Sequence, residues 1–149
     1  MDHVAILAKK RKLLSKIISG EKTIESRWLM TKSAPYGRIH AGETIYFKDS
    51  GEPVTVRATI SEVLQFFIPQ TNTRELMEKY GRNIAIARER FDEVAAWAAT
   101  KKYCVLVRLS HVQEIAPFDI DKKGFGLMAA WMCVDDIERI RKKQNYFWT

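Results

Sequence analysis

Lys22, Glu25 and Arg27 stand together in the octapeptide Gly-Glu-Lys-Thr-Ile-Glu-Ser-Arg at residues 20–27. An arginine guanidinium forks onto a phosphate or carboxylate. A lysine ammonium is a point donor, or a base when burial lowers its pKa. A glutamate beside them holds both cations in fixed orientations. An exposed ion pair contributes only about 0–1 kcal/mol, so stability is a weak reason to group three charges. Enclosed in a cleft, the same trio suits a polar ligand that has both donor and acceptor edges.

The flanking pattern positions these residues. Leu13, Leu14, Ile17 and Ile18 recur at the spacing of one helical face, with Lys12, Ser15 and Lys16 opposite. Gly20 supplies the left-handed residue that commonly ends a helix. From Thr23 the period becomes two, with Ile24, Ser26 and Trp28 on one strand face and Thr23, Glu25 and Arg27 on the other.

The pattern G-x-K-x-x-E-x-R after a helix and opening a strand resembles the signature of the ASCH domain family, in the PUA-like superfamily. Gly20, Lys22, Glu25 and Arg27 fill its four positions. The resemblance extends over residues 3–67 and 103–134, whereas 68–102 reads as a helical insertion. It implies an α+β fold: a PUA-like β-barrel of five or six mixed strands with flanking helices and a cleft beside the motif. It also implies RNA or a nucleotide as the partner. Within one domain spanning 1–149, Lys22, Glu25 and Arg27 are then the ligand-binding residues.

Some members of that family are enzymes, namely ribonucleases and an amidohydrolase acting on acetylated cytidine. The amidohydrolase branch carries K-x-x-T, with threonine as nucleophile; here Glu25 holds that position, and a carboxylate does not replace a threonine. Thr23 and Ser26 are close by, but at other spacings and on opposite strand faces. A metal-independent ribonuclease needs a base for the 2′-hydroxyl, an acid for the leaving oxygen and a cation on the phosphate. Lys22 and Glu25 would be its catalytic residues, with Arg27 on the phosphate. A third reading is a small-molecule or partner-binding domain whose helical insertion makes the contact.

The chain has 149 residues and a formal net charge of +7. Lys9, Lys10, Arg11 and Lys12 form a basic run beside the motif, where a phosphate backbone would be met; Arg139, Arg141, Lys142 and Lys143 form another. Tyr36, on a Pro-Tyr-Gly turn, is the candidate for stacking on a base, while Trp28 and Trp131 read as core. Cys104 and Cys133 lie in apolar runs and read as buried hydrophobes. Neither they nor His3, His40 and His111 show metal-ligand spacing, and no cofactor is implied. With no signal peptide and no apolar run of spanning length, the expected setting is the cytoplasm, away from membrane.

Along the chain, strands are expected at His3–Ala8, from Thr23, at Glu43–Lys48, at Val54–Phe67 with a bulge near Ser61-Glu62, and at Tyr103–Ala116. Asn72 with Glu75 caps a helix that Gly81 ends. A second helix is expected at Ile84–Thr100 with a buried stripe of Phe91, Val94, Trp97 and Ala98. An apolar closing strand at Met128–Val134, a final helix capped by Asp135 and bearing Ile137 and Ile140, and a packed Tyr146-Phe147-Trp148 tail complete the expectation.

Overall fold

The structure is a computed structural model that describes residues 1–126 and 128–143. Six strands form one mixed sheet: β1 (Asp2–Leu7), β2 (Ile24–Leu29), β3 (Thr44–Asp49), β4 (Val54–Phe67), β5 (Tyr103–Phe118) and β6 (Trp131–Val134). Their order is β2-β5-β4-β3-β1-β6. Only β1 and β3 run parallel; the other neighbours are antiparallel. The sheet curls into a half-barrel, and one of its sides holds the main core, including Ala5, Ile17, Phe47, Val56, Ile60, Val105 and Val107.

Local chemistry accounts for the elements. Helix α1 (Leu13–Ser19) buries Leu13 and Ile17 and ends at Gly20 with φ +83°, a backbone that a glycine adopts without Cβ strain. In β4, Val54, Val56, Ala58 and Ile60 alternate with exposed or half-exposed residues. The pairing with β5 shifts register between Ile60 and Glu62, the bulge that strand length and sequence call for. Helix α2 (Thr73–Tyr80) starts at Asn72, whose side chain accepts from the amides of Arg74 and Glu75. It packs on α3 (Phe91–Ala98) through Met77, Phe91, Ala95 and Ala98. Both helices lie between β4 and β5.

Four expectations need correction. The second helix does not begin at Ile84, because Ala85 takes φ +70° and interrupts any helix there; a 3₁₀ turn at Arg88–Arg90 leads into α3 instead. Strand β6 covers only Trp131–Val134, and Met128 is 94% exposed. A turn runs through Gly124 and Gly126 just before it, and β6 pairs with β1 no further than Ala5. The final helix is a single 3₁₀ turn, Ile137–Arg139, capped by Asp136 rather than Asp135. Ile137 and Ile140 nevertheless bury themselves in a second core cluster with Val4, Tyr46 and Met132. Lastly, Trp97 is not part of the buried stripe. The Tyr146-Phe147-Trp148 tail lies outside the described residues.

Candidate functional site

The two end strands of the sheet, β2 and β6, do not pair, and Arg27 works across the gap. From β2 it donates through Nη2 to the Ile6 carbonyl of β1 at 3.2 Å, and through Nη1 to the Ala130 carbonyl just before β6 at 3.2 Å. Its guanidinium carbon lies 5.2 Å from the centre of the Trp131 ring. Trp131 is buried, as its apolar run implies. Alternation on β2 places Glu25 on the same face, and its Oε2 is 3.5 Å from Arg27 Nη2. Lys22, in the turn between α1 and β2, completes the group: its Nζ is 3.4 Å from Glu25 Oε1 and donates to the Ile84 carbonyl at 3.1 Å.

Lys22 and Glu25 are 2% and 3% exposed, so these are buried charges. Burial would raise the Glu25 carboxyl, but the charges of Lys22 and Arg27 and the amide of Ser26 outweigh it and hold the pKa below the usual range. For Lys22 the balance falls the other way. Burial lowers the ammonium, the Glu25 charge only partly restores it, and Arg11 and Arg27 push it down further. One carboxylate thus serves two cations, with a third cation nearby, and the group carries net positive charge.

The trio lies at a cleft of about 780 Å³, within the size range of small-ligand sites. Ile6, Leu7 and Ala8 from the end of β1 and its exit, Trp28 from β2, and Ile84 and Ile86 from the loop after α2 line it. Arg90, Glu93, Val94 and Trp97 form a wall on the helical side, and Arg11, Lys122 and Met128 also line it. The segment between β4 and β5 therefore forms one wall of the cleft rather than standing away from it.

Among the other sequence candidates, Arg11 reaches the cleft, but Lys9, Lys10 and Lys12 are not among its lining residues. Lys9 instead pairs with Glu52 at an exposed position. Tyr36 is also absent from the lining; its half-buried ring packs 4.9 Å from that of Tyr103 and against the main core. Trp28 is half-buried rather than core, packing against the α2 and α3 clusters with its other surface on the cleft. His40 is held at Glu43, which also accepts from the buried His3. The two neighbouring hydroxyls are engaged: Thr23 Oγ1 accepts from Asn83 Nδ2, and Ser26 Oγ accepts from Trp28 Nε1, both at 3.1 Å. Sequence reasoning missed Trp97, Ile86 and Lys122. For Trp97 the usable signal was its helical spacing from Arg90, Glu93 and Val94.

Among the described residues no group of three or more His, Cys, Asp or Glu is placed to hold a metal ion. No helix there is long and apolar enough to cross a membrane.

This mixed half-barrel with helices between its fourth and fifth strands is the α+β fold of ASCH domain structures, and the motif resemblance thereby extends to the architecture. The ASCH protein of Zymomonas mobilis superposes with a TM-score of 0.66 at 17% identity, covering 93% of this chain and 90% of that one. A single-substitution variant of it gives 0.64 at 19% identity, covering 93% and 91%. The hypothetical protein PH0355 gives 0.53 at 17% identity, covering 77% of this chain and all of the other. No protein-family model matches the sequence, and no curated protein matches it.

Proposed function

We propose that the chain binds RNA and holds one nucleotide in the cleft against Lys22, Glu25 and Arg27. The observation that carries this reading is the charged trio at the cleft, where one buried carboxylate is shared by a buried lysine and a half-buried arginine. Such a group has surplus positive charge in a low-dielectric setting, where an anion interacts far more strongly than in water. Phosphate is the anion that RNA presents, and Arg11 and Lys122 extend the positive lining. The overall charge of +7 favours the encounter with a polyanion.

Fluorescence anisotropy with an end-labelled single-stranded RNA at several salt concentrations tests the proposal. Affinity falls linearly on a log–log plot against salt, and falls further in Lys22→Ala and Arg27→Ala whose thermal unfolding remains cooperative. No binding to wild type at low salt overturns it. A second reading, a metal-independent ribonuclease or a hydrolase of a modified nucleoside, draws on one observation: Lys22 is a buried amine with a lowered pKa, as a general base requires. Denaturing gels of the same samples decide between them. RNA shortened by wild type and intact with Lys22→Ala favours the enzyme.

A further inference from the structure

Arg90, Glu93, Val94 and Trp97 recur at helical spacing and turn one side of α3 toward the cleft, while Phe91, Ala95 and Ala98 pack with Met77 on another. Core packing does not require a tryptophan at 97. It is 48% exposed, so much of the burial gain available to an indole is forgone. Its ring meets that of Trp28 at 6.1 Å and 70°, and Lys101 Nζ lies 4.9 Å from its centre. The cleft thus has a half-exposed indole on its helical wall and a cationic group at the start of β2 and the turn before it. A nucleotide has the matching division, with a π-faced base and an anionic phosphate.

We propose that Trp97 is the stacking platform for the base of a nucleotide whose phosphate lies in the field of Lys22, Arg27 and Arg11. The cleft therefore selects a phosphorylated nucleoside over both the free nucleoside and a sugar phosphate without a base. This inference rests on the RNA-binding reading and assigns its specificity to the segment between β4 and β5.

Calorimetric titration with AMP, adenosine and ribose 5-phosphate tests it in wild type, Trp97→Ala, Trp97→Phe and Lys22→Ala. AMP binds wild type about tenfold more tightly than ribose 5-phosphate, the order of ratio that stacking one base supplies. Trp97→Ala abolishes that ratio and leaves ribose 5-phosphate unchanged; Trp97→Phe restores most of it. Lys22→Ala weakens AMP and ribose 5-phosphate together and leaves adenosine unchanged. Equal binding of AMP and ribose 5-phosphate by wild type overturns the proposal, as does a ratio that persists in Trp97→Ala. If AMP and RNA bind and depend on Lys22 but not on Trp97, the stacking inference alone fails. If neither RNA nor AMP binds wild type, the RNA reading fails with it.

Discussion

Glu25→Gln is the sharpest test of the buried charge group. The substitution keeps the side-chain shape but removes the carboxylate that Lys22 and Arg27 share, at 3.4 Å and 3.5 Å. Both members of the Lys22–Glu25 pair are almost fully buried, so solvent screening does not discount the effect. Removing one partner of a buried pair costs about 3–5 kcal/mol, because an uncompensated charge is left behind. The expected loss at pH 7 is therefore about 3 kcal/mol or more, read by urea unfolding with an unchanged m-value.

The pH dependence follows from the two shifted pKa values. Glu25 is lowered in the folded state, so its stabilisation is present above the unfolded carboxyl pKa and is lost as pH falls through the folded one. Wild type loses this term in acid; Glu25→Gln has none to lose, and the two proteins converge there. Lys22 is also lowered, so between its folded and unfolded pKa values the unfolded chain holds more protons and stability rises with pH. Without Glu25 to raise it, Lys22 deprotonates at lower pH in the variant. The variant recovers stability on the alkaline side, and the penalty is largest near neutrality and smaller at pH 4 and pH 9.5. Adding Lys22→Met removes the stranded ammonium and restores much of the loss. A cost below about 1 kcal/mol, the range of exposed pairs, or a penalty constant from pH 4 to 9.5, refutes the reasoning.

Two further outcomes test the packing around the site. Gly81→Ala lowers stability by about 1–3 kcal/mol, as overpacking does, measured by thermal unfolding. An added Cβ would stand 2.5 Å from the Met77 carbonyl and 2.7 Å from the Phe91 ring, which outweighs alanine's ordinary helical advantage of about 1 kcal/mol. Cys104 and Cys133 are both buried, and burial raises both thiols above their ordinary pKa. An aromatic disulfide reagent at pH 8 therefore labels neither at the speed of a free thiol until denaturant is added.

Periodicity made much of the architecture legible. The alternation of Val56, Ala58 and Ile60 and the excess length of that strand point to its buried face and its bulge, whereas Val54, expected on the same face, packs with Tyr46 and Phe118 in the other cluster beyond a register shift. Asn72 and Gly20 mark helix boundaries through side-chain and backbone chemistry that acts within a turn. What failed was set by contacts distant in sequence. Met128 shares an apolar run with Trp131, yet it is 94% exposed and the ladder to β1 starts only at Trp131, after the turn with Gly124 and Gly126. Ala85 leaves the helical region in a loop whose neighbours serve the site: the Ile84 carbonyl accepts from Lys22, and Asn83 binds Thr23. Trp97 fits an amphipathic pattern as either a core or a cleft residue, and only the placement of the sheet beside α3 separates the two.

The same distinction bears on why the trio is charged at all. Hydrophobic residues of similar volume in place of a buried ion group are often neutral or stabilising by about 1–4 kcal/mol, so folding alone gives little reason to retain it. Arg27 has a structural part, since its bonds to Ile6 and Ala130 join the two ends of the half-barrel. Those bonds need a guanidinium but neither of the other two charges. Glu25 adds no bridge across the sheet ends; its partners are Lys22, Arg27 and the next amide in its own strand. Lys22 reaches a carbonyl that a neutral donor would satisfy as well. On the proposed function, the charge on Lys22, and the carboxylate that makes its burial tolerable, serve what enters the cleft rather than what surrounds it.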